Sequence, residues 1–163
     1  MLISWKIQKK IATYNSKNIL KKENARIMFE VGDQFKQSFS FTQEDVDMFA
    51  KVSGDTNPLH VDEEAGKNSM FGRRIVHGFL GASIFTRIFG TLWYADGTVY
   101  LAQSMKWMKP MFTGQNYVGS ITVKETIKEK NRVTYVCEVF DEQTGDLCIT
   151  GEATLLNKKQ YVW

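Results

Sequence analysis

The stretch GFLGASIFTRIFGTLW (78–93) is apolar almost all the way round, with Arg87 its only charge. It is long enough for about four helical turns, and a helix of that kind must be buried on most sides. The residues after it have a different period. GTVYLAQSMKWM (97–108), NYVGSITVKETIK (116–128), RVTYVCEVF (132–140) and DLCITGEATLL (146–156) alternate apolar and polar residues, and the loops KPMFTGQ, KEKN and DEQTG carry Gly, Pro or Asn. A buried helix succeeded by a meander of long antiparallel strands predicts an α+β domain whose sheet wraps around the helix.

Upstream, FKQSFSF (35–41) reads as a short strand and TQEDVDMFAKVSG (42–54) as a helix. Thr42 is its N-cap, Asp45 stands at the capping-box position, Val46, Phe49 and Ala50 share one face, and Gly54 is the stop. GDTNPLHVDEE then makes a turn, with Asp62 capping a second short helix before Ala65. Neither an internal repeat nor a low-complexity linker interrupts the 163 residues, which suit one domain with one core.

Charge is unevenly placed. Residues 1–27 hold seven Lys/Arg and one acid, a net of +6, whereas residues 28–163 carry a net of −3. The body therefore offers no broad basic field for nucleic acid. In the first segment Ile3, Ile7, Ile11 and Tyr14 fall at helical spacing among Lys6, Lys9, Lys10 and Lys17. That pattern suits a basic helix docking on a membrane surface or a phosphate-bearing ligand. It equally suits a surface helix, or an extension ahead of a start at Met28, and this second reading is preferred. The domains are thus a basic extension over 1–27 and a folded domain over 28–163. No apolar run approaches the roughly 18 residues of a membrane span, and MLISWKIQKK has no secretory h-region. Cys137 and Cys148 read as strand residues on opposite sheet faces, unbridged, in a reducing compartment, and the cytoplasm is the expected location.

Both histidines of the chain, His60 and His77, lie between the first helix and the buried one. Asp55 precedes His60 by five positions, with Asn57 and Pro58 between them. Pro58 biases Asn57 to an extended conformation, which argues against regular helix here, and an Asx-type turn folds the carboxylate and the imidazole toward one point. Such a pair moves protons. By itself the spacing is also what a solvated aspartate and a structural histidine produce. The neighbouring Gly78 adds context: it opens the buried helix, where free N–H groups and the positive dipole end face outward. A thioester oxygen gaining negative charge is stabilised by such donors, and glycine lets it approach. Ser53 and Ser83 lack a nucleophile elbow. No phosphate loop or metal cluster is legible, so no cofactor and no metal are expected.

The run FTQEDVDMFAKVSGDTNPLHVDEEAGKNSMFGRRIVHGFLGASIF resembles the MaoC-like dehydratase family and, within it, the (R)-specific enoyl-CoA hydratases. An Asp, then Asn-Pro-x-His, then Ile-Val-His-Gly entering the central helix are matched by Asp55, Asn57, Pro58, His60, Ile75, Val76, His77 and Gly78. YLAQSMKWMKPMFTGQ (100–115) extends the similarity, which covers roughly 30–156. The resemblance implies the hot-dog fold and a homodimer. It implies that Asp55 and His60 activate water and protonate the α-carbon, and that the Gly78 amide binds the thioester oxygen. Asn57 would help fix the loop or position a catalytic side chain, and Thr86 would stand where related hydratases often carry a serine, so both are expected on the substrate side of the site. His77 would cap or anchor the helix start.

The implied reaction is reversible hydration of trans-2-enoyl thioesters to (R)-3-hydroxyacyl thioesters, with an acyl-CoA as partner. Arg73, Arg74, Lys106 and Lys109 are the cations available to its phosphates, although surface Lys and Arg are usually just solvated. One rival is a dehydratase acting on acyl carrier protein, which the sequence does not separate from a CoA enzyme. A hot-dog thioesterase usually carries its carboxylate on the central helix, and residues 78–93 contain no Asp or Glu. A non-catalytic acyl-binding subunit would be marked by loss of Asp55 or His60, and both are present.

Overall fold

The structure is a computed structural model that describes residues 29–93 and 96–161. The readings made for residues 1–27 fall outside them. The described chain runs β1 (Gln34–Phe39), α1 (Gln43–Ser53), α2 (Pro58–Val61), α3 (Glu63–Asn68), α4 (Gly78–Arg87), a π-helical turn (Ile88–Leu92), β2 (Val99–Trp107), β3 (Tyr117–Ile127), β4 (Arg132–Asp141) and β5 (Leu147–Leu156).

The strands form one antiparallel sheet in the order β1-β3-β4-β5-β2. Only β3, β4 and β5 make the expected meander. β2 pairs not with its sequence neighbour but with β5, from Val99↔Leu156 to Trp107↔Ile149, and so becomes an edge. β4 lies at the centre, and its alternation is strict: Val133, Tyr135, Cys137 and Val139 all point into the core. Helix α4 lies across that face. At Gly119 of β3 a β-carbon would fall 2.9 Å from Ile84 and 3.4 Å from Ile88, so the missing side chain lets helix and sheet approach. Each large side chain enclosed there contributes about 1.5–3 kcal/mol. This is the sheet-around-helix arrangement that the sequence predicts.

Two details of the central helix differ from expectation. The α-helix ends at Arg87 and widens into a π turn, in which the Trp93 N–H reaches the Ile88 carbonyl at 2.7 Å. Its burial is also one-sided. Leu80, Ala82, Ile84 and Phe85 are enclosed, whereas Gly78, Phe79, Thr86 and Gly90 form an exposed stripe on an otherwise apolar helix.

Cys137 and Cys148 are both free. Burial raises the Cys137 thiol to about 12, so it stays protonated and unreactive. Cys148 departs from the simple alternation expected of it: the β4–β5 register slips from Val139↔Ile149 to Phe140↔Leu147, and the unpaired Cys148 turns into the buried cluster.

Candidate active site

The site is assembled by the segment between α1 and α4, mostly through hydrogen bonds to backbone. Helix α1 starts with the predicted capping box. The Asp45 N–H donates to Thr42 Oγ1 at 3.2 Å, and the Thr42 N–H donates to the Asp45 carboxylate at 2.8 Å. It stops at Gly54, whose φ of 79° is left-handed and turns the chain so that Asp55 leaves the helix axis. The Asp55 N–H donates to Ser53 Oγ at 3.2 Å, and Asp55 Oδ1 accepts from the Asn57 N–H at 3.3 Å.

The next residues correct one expectation. Pro58–Val61 is a single helical turn rather than an irregular loop. Pro58 occupies its first position, where the absent N–H leaves no bond unmade, and Asn57 stays extended just before it as the N-cap. Asn57 Oδ1 accepts from the Leu59 N–H at 3.0 Å and so caps this turn. The turn is tied down on both sides. Gln43 donates to the His60 carbonyl at 2.9 Å, and the Ile75 N–H donates to the Leu59 carbonyl at 3.1 Å.

His60 is buried, and its Nδ1 lies 2.8 Å from the Ile75 carbonyl oxygen. A carbonyl only accepts, so Nδ1 carries the proton and the neutral ring keeps its lone pair on Nε2. His77 is also buried; its Nε2 lies 2.9 Å from the Asp55 carbonyl oxygen and therefore carries that ring's proton. The two imidazoles stack with centroids 3.8 Å apart at 29°, and Phe49 packs on His77 at 5.0 Å. One ligand-type atom from each of Asp55, His60 and His77 lies within 4.8 Å of the others. Such a trio also has the donor types of a metal site. Metals bind imidazole lone pairs in the ring plane, however, and two nearly parallel stacked rings do not aim in-plane lone pairs at one point. The arrangement suits proton transfer better.

Of the two roles expected of His77, capping or anchoring the helix start, it does not fill the first: it occupies the N-cap of α4 without making a side-chain cap bond. It anchors instead, holding the Asp55 backbone against the helix start. Among the described residues none accepts from the N–H groups of the first turn, which can meet an anion with the helix dipole behind them. His60, His77 and Gly78 line one cavity of about 310 Å³ together with Phe71, Trp107 and Met111, among others. The structure thus brings Asp55, His60 and His77 together, with His60 and Gly78 on one cavity that neither Asp55 nor Asn57 lines. It does not bring Thr86, which is exposed two turns further along α4 and does not line this cavity. Among the four cations, only Lys109 lines the cavity, and it also pairs with Asp146 at 2.7 Å. Arg73 lies over the Phe112 ring and donates to Gln115 at 2.9 Å.

Sequence reasoning missed the Ile75 carbonyl, because any residue carries one, and missed Trp107, whose proximity to Gly78 depends on where β2 ends.

A helix-wrapping antiparallel sheet with a histidine–carboxylate cluster at the helix N-terminus defines a hot-dog domain of the hydratase and dehydratase kind. Residues 28–144 match the MaoC like domain, and the chain belongs to that family. It is 36% identical to the (R)-specific enoyl-CoA hydratase of Aeromonas caviae over 77% of this chain and 93% of the relative. It is 34% identical to a mitochondrial 3-hydroxyacyl-[acyl-carrier-protein] dehydratase of Arabidopsis thaliana over 81% of this chain and 80% of the relative. The solved (R)-hydratase from A. caviae, involved in PHA biosynthesis, superposes with a TM-score of 0.76 at 35% identity, covering 79% of this chain and 97% of that one.

Proposed function

We propose that this chain is a hydro-lyase that reversibly adds water to trans-2-enoyl thioesters, giving (R)-3-hydroxyacyl thioesters. The observation that carries this reading is the meeting of Asp55, His60 and His77 within 4.8 Å of one another, beside a cavity that His60, His77 and Gly78 line. The thioester oxygen sits on the Gly78 N–H. One water, held between Asp55 and His60, spans the gap that separates them. His60 Nε2 takes a proton as the water oxygen bonds C3. The negative charge moves to the thioester oxygen, against donors that strengthen as it develops. The pair returns a proton to C2, so one water is added and the catalyst is regenerated. Its own residues suffice for these steps.

The enoyl-CoA hydratases among the relatives support an acyl-CoA substrate. The plant dehydratase supports acyl carrier protein as the second reading. Loss of the enoyl absorbance of crotonyl-CoA tests the reaction, and longer enoyl-CoAs and crotonyl-carrier protein at equal concentration separate the carriers. Hydration of neither thioester overturns the reading.

A homodimer and a cytoplasmic location belong to the same proposal. The exposed stripe of α4 and the exposed Val99, Tyr100 and Leu101 on edge strand β2 support a second copy as cover. The free, buried cysteines support a reducing compartment, and no described helix is long and apolar enough to cross a membrane. Residues 1–27 are proposed to lie outside the catalytic domain, which fits a family match beginning at residue 28.

A further inference from the structure

Gly78 has a neighbour that the hydration steps leave unused. A β-carbon at position 78 would fall 2.7 Å from Trp107 Nε1 and 3.1 Å from both Cδ1 and Cε2. The nitrogen end of the indole, rather than its benzene end, therefore lies against the start of α4, with the ring face turned toward position 78. Trp107 ends the edge strand β2 and lines the same cavity as His60 and His77. Phe79 holds its ring edge-on, with centroids 5.1 Å apart and planes at 65°. The residue is 45% exposed, and none of the described residues accepts a hydrogen bond from its indole N–H.

An indole nitrogen is a donor only, so it neither takes nor delivers the protons of the hydration. It offers one fixed N–H. The thioester oxygen has two lone pairs, and the Gly78 N–H satisfies one of them. We propose that the Trp107 indole N–H is the second donor to the thioester oxygen and to the enolate that forms from it. Trp107 is then a catalytic residue in its own right. The inference rests on the hydratase reading, because it assigns a partner to the substrate that reading supplies. It also gives glycine at 78 a second reason: a side chain there displaces the indole as well as hindering the thioester.

Trp107→Phe keeps an aromatic ring and removes the donor. A bond that strengthens in the transition state affects kcat more than KM. The variant should therefore lose about 100-fold in kcat, the scale for one such donor, with KM little changed. Placing benzothienylalanine at 107 keeps the indole shape and replaces the N–H by sulfur, and it should lose as much. A second readout needs no turnover. In the Asp55→Asn protein, the infrared carbonyl stretch of bound ¹³C-labelled crotonyl-CoA should lie lower with tryptophan at 107 than with phenylalanine. Near-normal kcat in Trp107→Phe overturns the proposal, and so does a benzothienyl variant that matches wild type, since shape alone would then matter. If the wild-type protein hydrates no enoyl thioester, the hydratase reading falls while the carbonyl stretch still decides the role of Trp107. If no thioester binds at all, both fall.

Discussion

Strand β4 and the segment from Gly54 to Gly78 are held in place by opposite means. β4 alternates without exception, pairs on both edges and buries Val133, Tyr135, Cys137 and Val139 against α4. Its order comes from apolar area removed from water. The Gly54–Gly78 segment is largely exposed and fixed by bonds to backbone: Ser53 to Asp55, Asn57 to Leu59, His60 to Ile75 and His77 to Asp55. Hydrogen bonds have direction, and apolar contacts have little. A core tolerates some repacking, but a proton-transfer pair needs its nitrogens and oxygens aimed. The difference teaches that stability and chemistry in this fold are separable by mutation.

The largest break should come at the reacting pair. Asp55→Asn and His60→Gln keep shape while altering proton transfer, and each should cut hydration about 100- to 10,000-fold, the range for a positioned acid or base. The double variant should fall only slightly further, because in the proposed mechanism the two hold one water. Circular dichroism should stay unchanged. Multiplying losses would separate their roles, and small losses would remove the pair from the mechanism.

The converse belongs to the sheet. Leu155→Ala in β5 empties a fully buried position and should cost about 2–5 kcal/mol in denaturant unfolding. The kcat of the remaining folded protein should hold. A large fall in kcat at full folding would show that the core tunes the site after all.

His77 joins the two regions and should show both effects at smaller size. His77→Phe keeps a stacked ring but leaves the Asp55 carbonyl without its donor. An unpaired acceptor costs about 1–3 kcal/mol, and a displaced Asp55 should lower kcat by roughly tenfold, below the loss of a reacting group. Loss of stability with full kcat would make His77 a packing residue only. The smallest effect is expected of Thr42→Ala, which removes the α1 cap and should cost about 1 kcal/mol with kcat unchanged. Thermal melting and the crotonyl-CoA assay together read both variants.

Much of this was legible in the chain before folding. Period 2 placed the four long strands within a few residues of where they form, because alternation suits the pleat of a strand, and in β4 it mirrors one face packed on the core. The cap at Thr42, the stop at Gly54 and the cap at Asp62 were legible because capping is local chemistry. Asp55, Asn57, His60 and Gly78 could be singled out because sequence neighbours share one short segment. Other features had no local cause. The crossing of β2 to the far edge, the π turn after Arg87 and the register slip at Cys148 depend on which strand meets which. Thr86 was expected at the substrate only through the family resemblance, which carries over a position along the helix, whereas packing decides which face of the helix opens on the cavity.

The sequence by itself determined the sheet-around-helix class and singled out the candidate acid–base residues, since both are written in short-range periods and spacings. Tertiary structure alone decided the tautomers of His60 and His77, through the carbonyls of Ile75 and Asp55, and brought the Trp107 indole to Gly78. Those contacts join residues far apart in the chain, and a backbone carbonyl has no signature in a sequence. Only the folded chain says which nitrogen holds a proton and which donor faces the substrate.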